Sequence, residues 1–215
     1  MAGQIVFVSG IDTDVGKTIA TGVYARELAQ QGVNVITQKM VQTGCETVSD
    51  DIATHRKIQG ISLNDDDKSG LTCRFIYRYP CSPHLAAEME QRPLDLAQIT
   101  YDSQTLSQRY EVVLLEGAGG LAVPLNAECT TLDYLQAQGY PLILVTSGKL
   151  GSINHTLLSL EICRRRNIEI HTLMYNRFPQ KDPIIENDTA LYLQTYLKKH
   201  HPNAHFRMLE VQQAI

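Results

Sequence analysis

Five short apolar runs punctuate this chain, and longer helical patterns fill the intervals between them. The runs cover residues 4–9, 33–38, 111–115, 141–146 and 168–175. Each is almost continuously apolar rather than alternating, as in a strand covered on both faces. Helical patterns are expected at 16–31 and at about 84–91, 95–109, 130–138, 152–166 and 184–199. Strand and helix in strict alternation leave few options. The chain is expected to be an α/β protein with a mostly parallel sheet and helices on both faces. At 215 residues it reads as one domain spanning 1–215.

In such a sheet ligands gather beyond the carboxyl ends of the strands, where loops enter helices. All five ends here are polar or glycine-rich. The first run leads into Gly10-Ile11-Asp12-Thr13-Asp14-Val15-Gly16-Lys17-Thr18, and the second into Lys39-Met40-Val41-Gln42-Thr43-Gly44. The third enters Glu116-Gly117-Ala118-Gly119-Gly120, the fourth Ser147-Gly148-Lys149-Leu150-Gly151-Ser152-Ile153-Asn154-His155, and the fifth Asn176.

The first loop has the order strand, glycine loop, helix that holds a polyphosphate. Lys17 is placed to reach the β and γ phosphates, and the Thr18 hydroxyl to bind Mg2+. This is the signature of a P-loop NTPase. The usual spacing is lengthened by one residue, and two of the five residues between Gly10 and Gly16, Asp12 and Asp14, are acidic. Mg2+ takes oxygen ligands and needs only one or two carboxylates. Glu116 is one candidate, and Asp50 or Asp51 the other. Spacing to the apolar Ile52 favours Asp50. A carboxylate beside a triphosphate is repelled unless a cation lies between them. Lys39 could supply one positive charge and a substrate amine another. Asp12 could instead stabilise the turn.

The remaining composition excludes other classes. The net charge of −4 gives no positive field to recruit nucleic acid. The local clusters Arg164-Arg165-Arg166 and Lys198-Lys199-His200-His201 read as solvated helix ends. No apolar run approaches the ~18 residues of a membrane span, and the chain starts without a signal-peptide pattern. Five cysteines, at 45, 73, 81, 129 and 163, form no Cys-x-x-Cys pair. They suit a reducing cytoplasm rather than a zinc or disulfide framework. Asp65-Asp66-Asp67-Lys68 reads as a solvated loop.

Taken together, the loop Gly10–Thr18, Lys39–Gly44, Ser49-Asp50, Ser82-Pro83-His84, Glu116–Gly120, Lys149–His155 and Asn176 resemble the dethiobiotin synthetases. The lengthened loop, with an acid before Val-Gly-Lys-Thr, is itself a feature of that family. The resemblance implies closure of the ureido ring from 7,8-diaminononanoate, CO2 and MgATP, through a carbamate and a carbamic-phosphoric anhydride. It implies catalytic roles for Lys39, Lys17 and Thr13. It implies ATP contacts from Asp14, Val15, Gly16, Lys17, Thr18 and Ile19, and from Asp50, Glu116, Gly117, Ala118 and Gly119, with Asn176 reading the base. Mg2+ would be held by Thr18, Asp50 and Glu116. Substrate contacts fall to Thr13 and Thr43, and to Ser152, Ile153 and Asn154 reaching across from the second subunit of a homodimer.

Three positions depart from the family pattern. Met40 replaces a common proline. No Gly-Glu-Ile-Pro-like stretch follows Leu197, where the family lines its adenine site. Tyr192 is a poor positional match for a late-helix tyrosine. Other readings are a switch or partitioning ATPase, a glutamine-dependent amidoligase and a binding module. Partitioning ATPases carry a second lysine where this loop has Asp12, and the chain has no room for a glutaminase domain.

Overall fold

The structure, a computed structural model, describes residues 2–178 and 182–210. In chain order it runs β1 (Gln4–Gly10), α1 (Lys17–Gln30), β2 (Val35–Lys39), β3 (Gln42–Thr43), α2 (Asp50–Gln59), α3 (Asp65–Lys68), β4 (Ile76–Tyr77) and α4 (Pro83–Met89). It continues with α5 (Leu96–Ser107), β5 (Val112–Gly120), α6 (Thr131–Gln138), β6 (Leu142–Ser147), α7 (Ser152–Arg165), β7 (Ile170–Asn176), α8 (Pro183–His200) and β8 (His205–Leu209).

Six strands form one sheet in the order β2-β5-β1-β6-β7-β8, and every neighbouring pair is parallel. The apolar runs explain this arrangement. Phe7, Leu115, Leu144 and Leu173 enter one core, while Val6, Val8, Leu114, Val145 and Met174 enter another. Alternate residues of the same strands thus serve two cores, one on each face. α1 and α2 cover the second with Ala20, Val23 and Ile58. The helices from α5 to α8 cover the first with Ile99, Leu132, Leu160 and Leu193. Each fully buried leucine stabilises the fold by roughly 1.5–3 kcal/mol. That burial outweighs the weak helix propensity of segments rich in Thr, Ser and Asn.

The chain reverses direction across the sheet at β1. It passes from β1 to β2 on one side, with β5 later filling the gap, and β6 lies on the other side. This is a switch point, where an open parallel sheet leaves a crevice at its carboxyl edge. Register then brings separate segments together, because Glu116 of β5 lies opposite Val8 of β1 and Lys39 of β2.

Several elements differ from the sequence expectation, among them the short strands β3 and β4, which pair in parallel as a second sheet. β5 does not end before Glu116 but continues to Gly120, which pairs with Gly10. Glycine is needed at 117, since a Cβ there would lie 2.9 Å from the Phe7 ring. β8 is an unanticipated edge strand, half exposed and broken by Arg207, so it lacks the continuous apolar signature. The acidic triplet is not a solvated loop. It forms α3, in which Asn64 and Asp67 make a capping box, and both Asp66 and Asp67 turn inward onto basic partners.

Candidate active site

The loop between β1 and α1 is built around two left-handed residues, Asp14 (φ 56) and Gly16 (φ 92). Gly16 must be glycine for a second reason. A Cβ there would lie 2.3 Å from the Asn176 side-chain nitrogen. Asn176 Nδ2 donates to the Val15 carbonyl at 3.0 Å, and its Oδ1 accepts from the Phe178 amide at 3.0 Å. The Asn176 side chain therefore clasps the loop to the end of β7, a role the sequence does not suggest.

The two acids of the loop divide their work. Asp12 Oδ1 accepts from the Thr13 amide at 2.8 Å, the turn-stabilising alternative. Asp14 is exposed and lines the cleft. Lys17 Nζ donates to the Asp12 carbonyl at 3.1 Å. Burial, reinforced by Lys39, lowers the Lys17 pKa below the ordinary lysine value. Negative phosphate charge beside it would offset that shift.

Beside the loop lies a dense charged cluster. Lys39 Nζ has three acceptors: Asp51 Oδ2 at 2.5 Å, Glu116 Oε1 at 2.9 Å and the Gly117 carbonyl at 3.0 Å. That matches the three donors of an ammonium. Thr18 Oγ1 lies 3.0 Å from Asp51 Oδ1 and 3.2 Å from Glu116 Oε1. Burial alone would push Lys39 down, but the Glu116 and Asp51 carboxylates outweigh it and hold Lys39 well above the usual lysine value. Burial would likewise push Glu116 up, but Lys39 and His55 more than compensate, so Glu116 stays far below the carboxylate range. Both groups are charged at neutral pH.

The acid at the start of α2 is a correction. Spacing favours Asp50, but Asp50 is exposed in the first helical turn, and Asp51 is the residue beside Thr18 and Lys39. Helix geometry gives the reason. Asp51 shares a face with the buried His55 one turn later, whereas Asp50, one residue earlier, is exposed.

Around this cluster opens a cleft of about 1010 Å³. Thr13, Ile19, Thr43, Ala118 and Gly119 line it, as do Ser82 and Pro83 of the Ser-Pro-His stretch. Ser152, Ile153 and Asn154 do not. They open α7 elsewhere, and Ser152 is buried with its Oγ 3.0 Å from Ser147 Oγ. Sequence reasoning missed His55 and Arg56, both buried, and the cleft-lining Phe178. A signal for the first two was present. Ile52, His55, Arg56 and Gln59 fall at i, i+3, i+4 and i+7, so polar groups occupy a core-facing stripe.

Thr18, Asp51 and Glu116 offer only oxygen donors, and those oxygens converge. This suits a hard cation that keeps waters and phosphate in its remaining positions. Among the described residues no group of three or more His, Cys, Asp or Glu could hold a metal as a self-sufficient cage. Nor is any helix among them long and apolar enough to cross a membrane.

A glycine loop at a sheet switch point, followed by Lys-Thr at a helix start and backed by a strand carboxylate, defines a P-loop nucleotide-binding protein. The fold agrees. The chain superposes on a chain of the MinC:MinD cell division protein complex of Aquifex aeolicus with a TM-score of 0.57 at 12% identity, covering 95% of this chain and 79% of that one. The AAA domain family matches residues 4–210. ATP-dependent dethiobiotin synthetase BioD 2 of Haemophilus ducreyi is 59% identical over 210 residues, spanning 98% of this chain and all of its own length. The corresponding BioD of Chlorobaculum tepidum is 49% identical over 200 residues, covering 93% of this chain and 84% of its own. The chain belongs to the ATP-dependent dethiobiotin synthetase family and is a ligase.

Proposed function

We propose that this enzyme closes the ureido ring of dethiobiotin in three steps within the cleft. CO2 first adds to one amine of 7,8-diaminononanoate, giving a carbamate and releasing a proton. A carbamate oxygen then attacks the γ-phosphorus of ATP, forming a carbamic-phosphoric anhydride and ADP. The second amine attacks the carbonyl, expels phosphate and closes a five-membered urea. The product equals the diamine plus CO2 less one water.

The observation that carries this reading is Lys39, held by three acceptors at the mouth of the phosphate loop. Phosphoryl transfer depends on positioning and charge neutralisation rather than covalent help. Lys39 and Lys17 flank the site where charge develops. Lys39 would face the carbamate and the transferring group, while the backbone of Val15 to Ile19 and Lys17 hold the phosphates. Thr13, Asp14 and Thr43 would orient the diamine, with Asp14 drawing an amine toward the loop. The Phe178 ring, 61% exposed in the cleft, offers a stacking face for the base beside Asn176. Thr18, Asp51 and Glu116 would hold Mg2+, which supplies charge neutralisation to the phosphates. The start of α7, with Ser152, Ile153 and Asn154, is assigned to the cleft of a second copy in a symmetric homodimer. The exposed Leu150 and Leu158 flank that start and support an interface there.

The test is ADP release in bicarbonate and Mg2+, with and without the diamine, with the product followed by mass. Diamine-dependent release with a gain of one CO2 less one water is expected. Hydrolysis indifferent to the diamine would assign the chain to switch-type ATPases instead.

The metal assignment has its own test. Asp51→Asn is expected to reduce kcat/KM by at least about 100-fold and to weaken the Mg2+ dependence. Asp50→Asn should change activity by less than about twofold, since an exposed first-turn acid contributes only ~0.3–1 kcal/mol of dipole stabilisation. The reverse ranking would restore Asp50 to the site.

A further inference from the structure

Glu116 makes different bonds through its two oxygens. Oε1 faces Thr18 and Lys39, as described above. Oε2 lies 2.9 Å from His55 Nε2, in a pair that is completely buried on both sides. The other ring nitrogen, His55 Nδ1, lies 3.0 Å from Thr37 Oγ1. Thr37 Oγ1 also accepts from Arg56 Nη1 at 2.8 Å.

The donors and acceptors of this line are all satisfied by one arrangement of the bonds. A guanidinium only donates, so Thr37 Oγ1 is an acceptor toward Arg56. Its own hydrogen then needs an acceptor, and His55 Nδ1 is in reach. With Nδ1 accepting, the ring proton sits on Nε2 and is donated to Glu116 Oε2. The guanidinium is in turn fixed by Asp67, through Nε at 2.8 Å and Nη2 at 2.8 Å. A single buried line therefore runs from Asp67 through Arg56, Thr37 and His55 to Glu116.

We infer that His55 is a positioning residue for this enzyme. It anchors Oε2 of Glu116 within the protein so that only Oε1 is presented to the cation and phosphates of the cleft, while Arg56 and Thr37 set the ring tautomer. The inference rests on the reading of Thr18, Asp51 and Glu116 as a Mg2+ site. Partners that orient a metal-binding side chain typically alter metal affinity by about 10–100-fold when removed.

The experiment is calorimetric titration of the full-length protein with ADP, in Mg2+ and in EDTA, alongside Mg2+ titration of turnover. Wild type is expected to bind ADP more tightly with Mg2+. His55→Leu should shrink that gain at least about tenfold and raise the Mg2+ requirement for turnover, with Mg2+-free ADP affinity within about twofold of wild type. His55→Gln, whose amide nitrogen can take the place of Nε2, should recover most of the gain. A full Mg2+ gain in folded His55→Leu overturns the inference. So does a Gln variant no better than Leu, with Mg2+-free affinity lost equally in both. If His55→Leu does not fold, Thr37→Val decides the matter. A reduced Mg2+ gain supports the relay, and an unchanged gain overturns it. A wild-type affinity indifferent to Mg2+ overturns the metal site itself, which is a separate result.

Discussion

Lys39→Met is expected to lower kcat by about 1000-fold while the KM for ATP changes only a few-fold. Methionine keeps the length and volume of the buried stem but removes the charge. Nucleotide binding should survive, because the loop backbone and Lys17 approach the phosphates from α1 rather than from β2. The chemical step should not, because Lys39 is the buried cation at the meeting point of Asp51, Glu116 and the loop. The same substitution carries a stability signature. It leaves Asp51 and Glu116 facing one another without Lys39, and breaking a buried pair on one side costs about 3–5 kcal/mol. Melting in EDTA should therefore fall, and added Mg2+ should raise the melting temperature more in the variant than in wild type, since a divalent cation relieves the same repulsion. Single-turnover ADP formation and melting with and without Mg2+ check both halves. Turnover within about tenfold of wild type would remove Lys39 from the reaction. Lys39→Arg is not expected to rescue it, because a planar guanidinium cannot reproduce three converging bonds to a point charge.

The sequence makes the frame legible for a simple reason. Strands buried on both faces carry continuous apolar runs, and five of the six sheet strands have them. β8 is an edge strand whose residues are mostly only partly buried, so its signal is diluted by His205 and Arg207. The phosphate loop is legible because it is local: strand, glycine turn, lysine and helix are contiguous. What could not be read is whatever depends on helix phase or on contacts distant in the chain. Asp50 and Asp51 are neighbours in sequence, but a helix turns about 100° per residue, and only the second faces β2. Asn176 lies 161 residues from Val15, so its grip on the loop has no local trace. Asp66 and Asp67 look like a solvated charge run until their partners, Arg109 and Arg56, arrive from elsewhere.

Arg56→Met is expected to destabilise the protein by about 3–5 kcal/mol, seen as a melting temperature lower by roughly 10 °C. Arg56 is only 2% exposed and supplies bonds to Asp67, Gln59, the Thr37 hydroxyl and the Thr37 carbonyl. Its removal leaves the Asp67 carboxylate buried without its counter-charge. The double variant Arg56→Met/Asp67→Leu should lose less than the sum of the two single changes, because no uncompensated charge remains. A residual loss of about 1 kcal/mol is expected in it, since Asp67 also caps α3 with Asn64. The pH dependence has a definite sign. Burial pushes Asp67 up, but Arg56, the Asn64 amide and the Thr72 hydroxyl outweigh it and hold its folded pKa below the ordinary value. A depressed folded pKa contributes stability above the unfolded value of about 4, and that stability is lost as pH falls through the folded pKa. The advantage of wild type over Arg56→Met should therefore be full at neutral pH and shrink only as pH falls below about 4, as urea unfolding at pH 7 and near pH 3 would reveal. A difference independent of pH would mean that Arg56 acts through packing alone. The line from Asp67 to Glu116 would then lose its electrostatic anchor, though not its hydrogen bonds at Thr37 and His55.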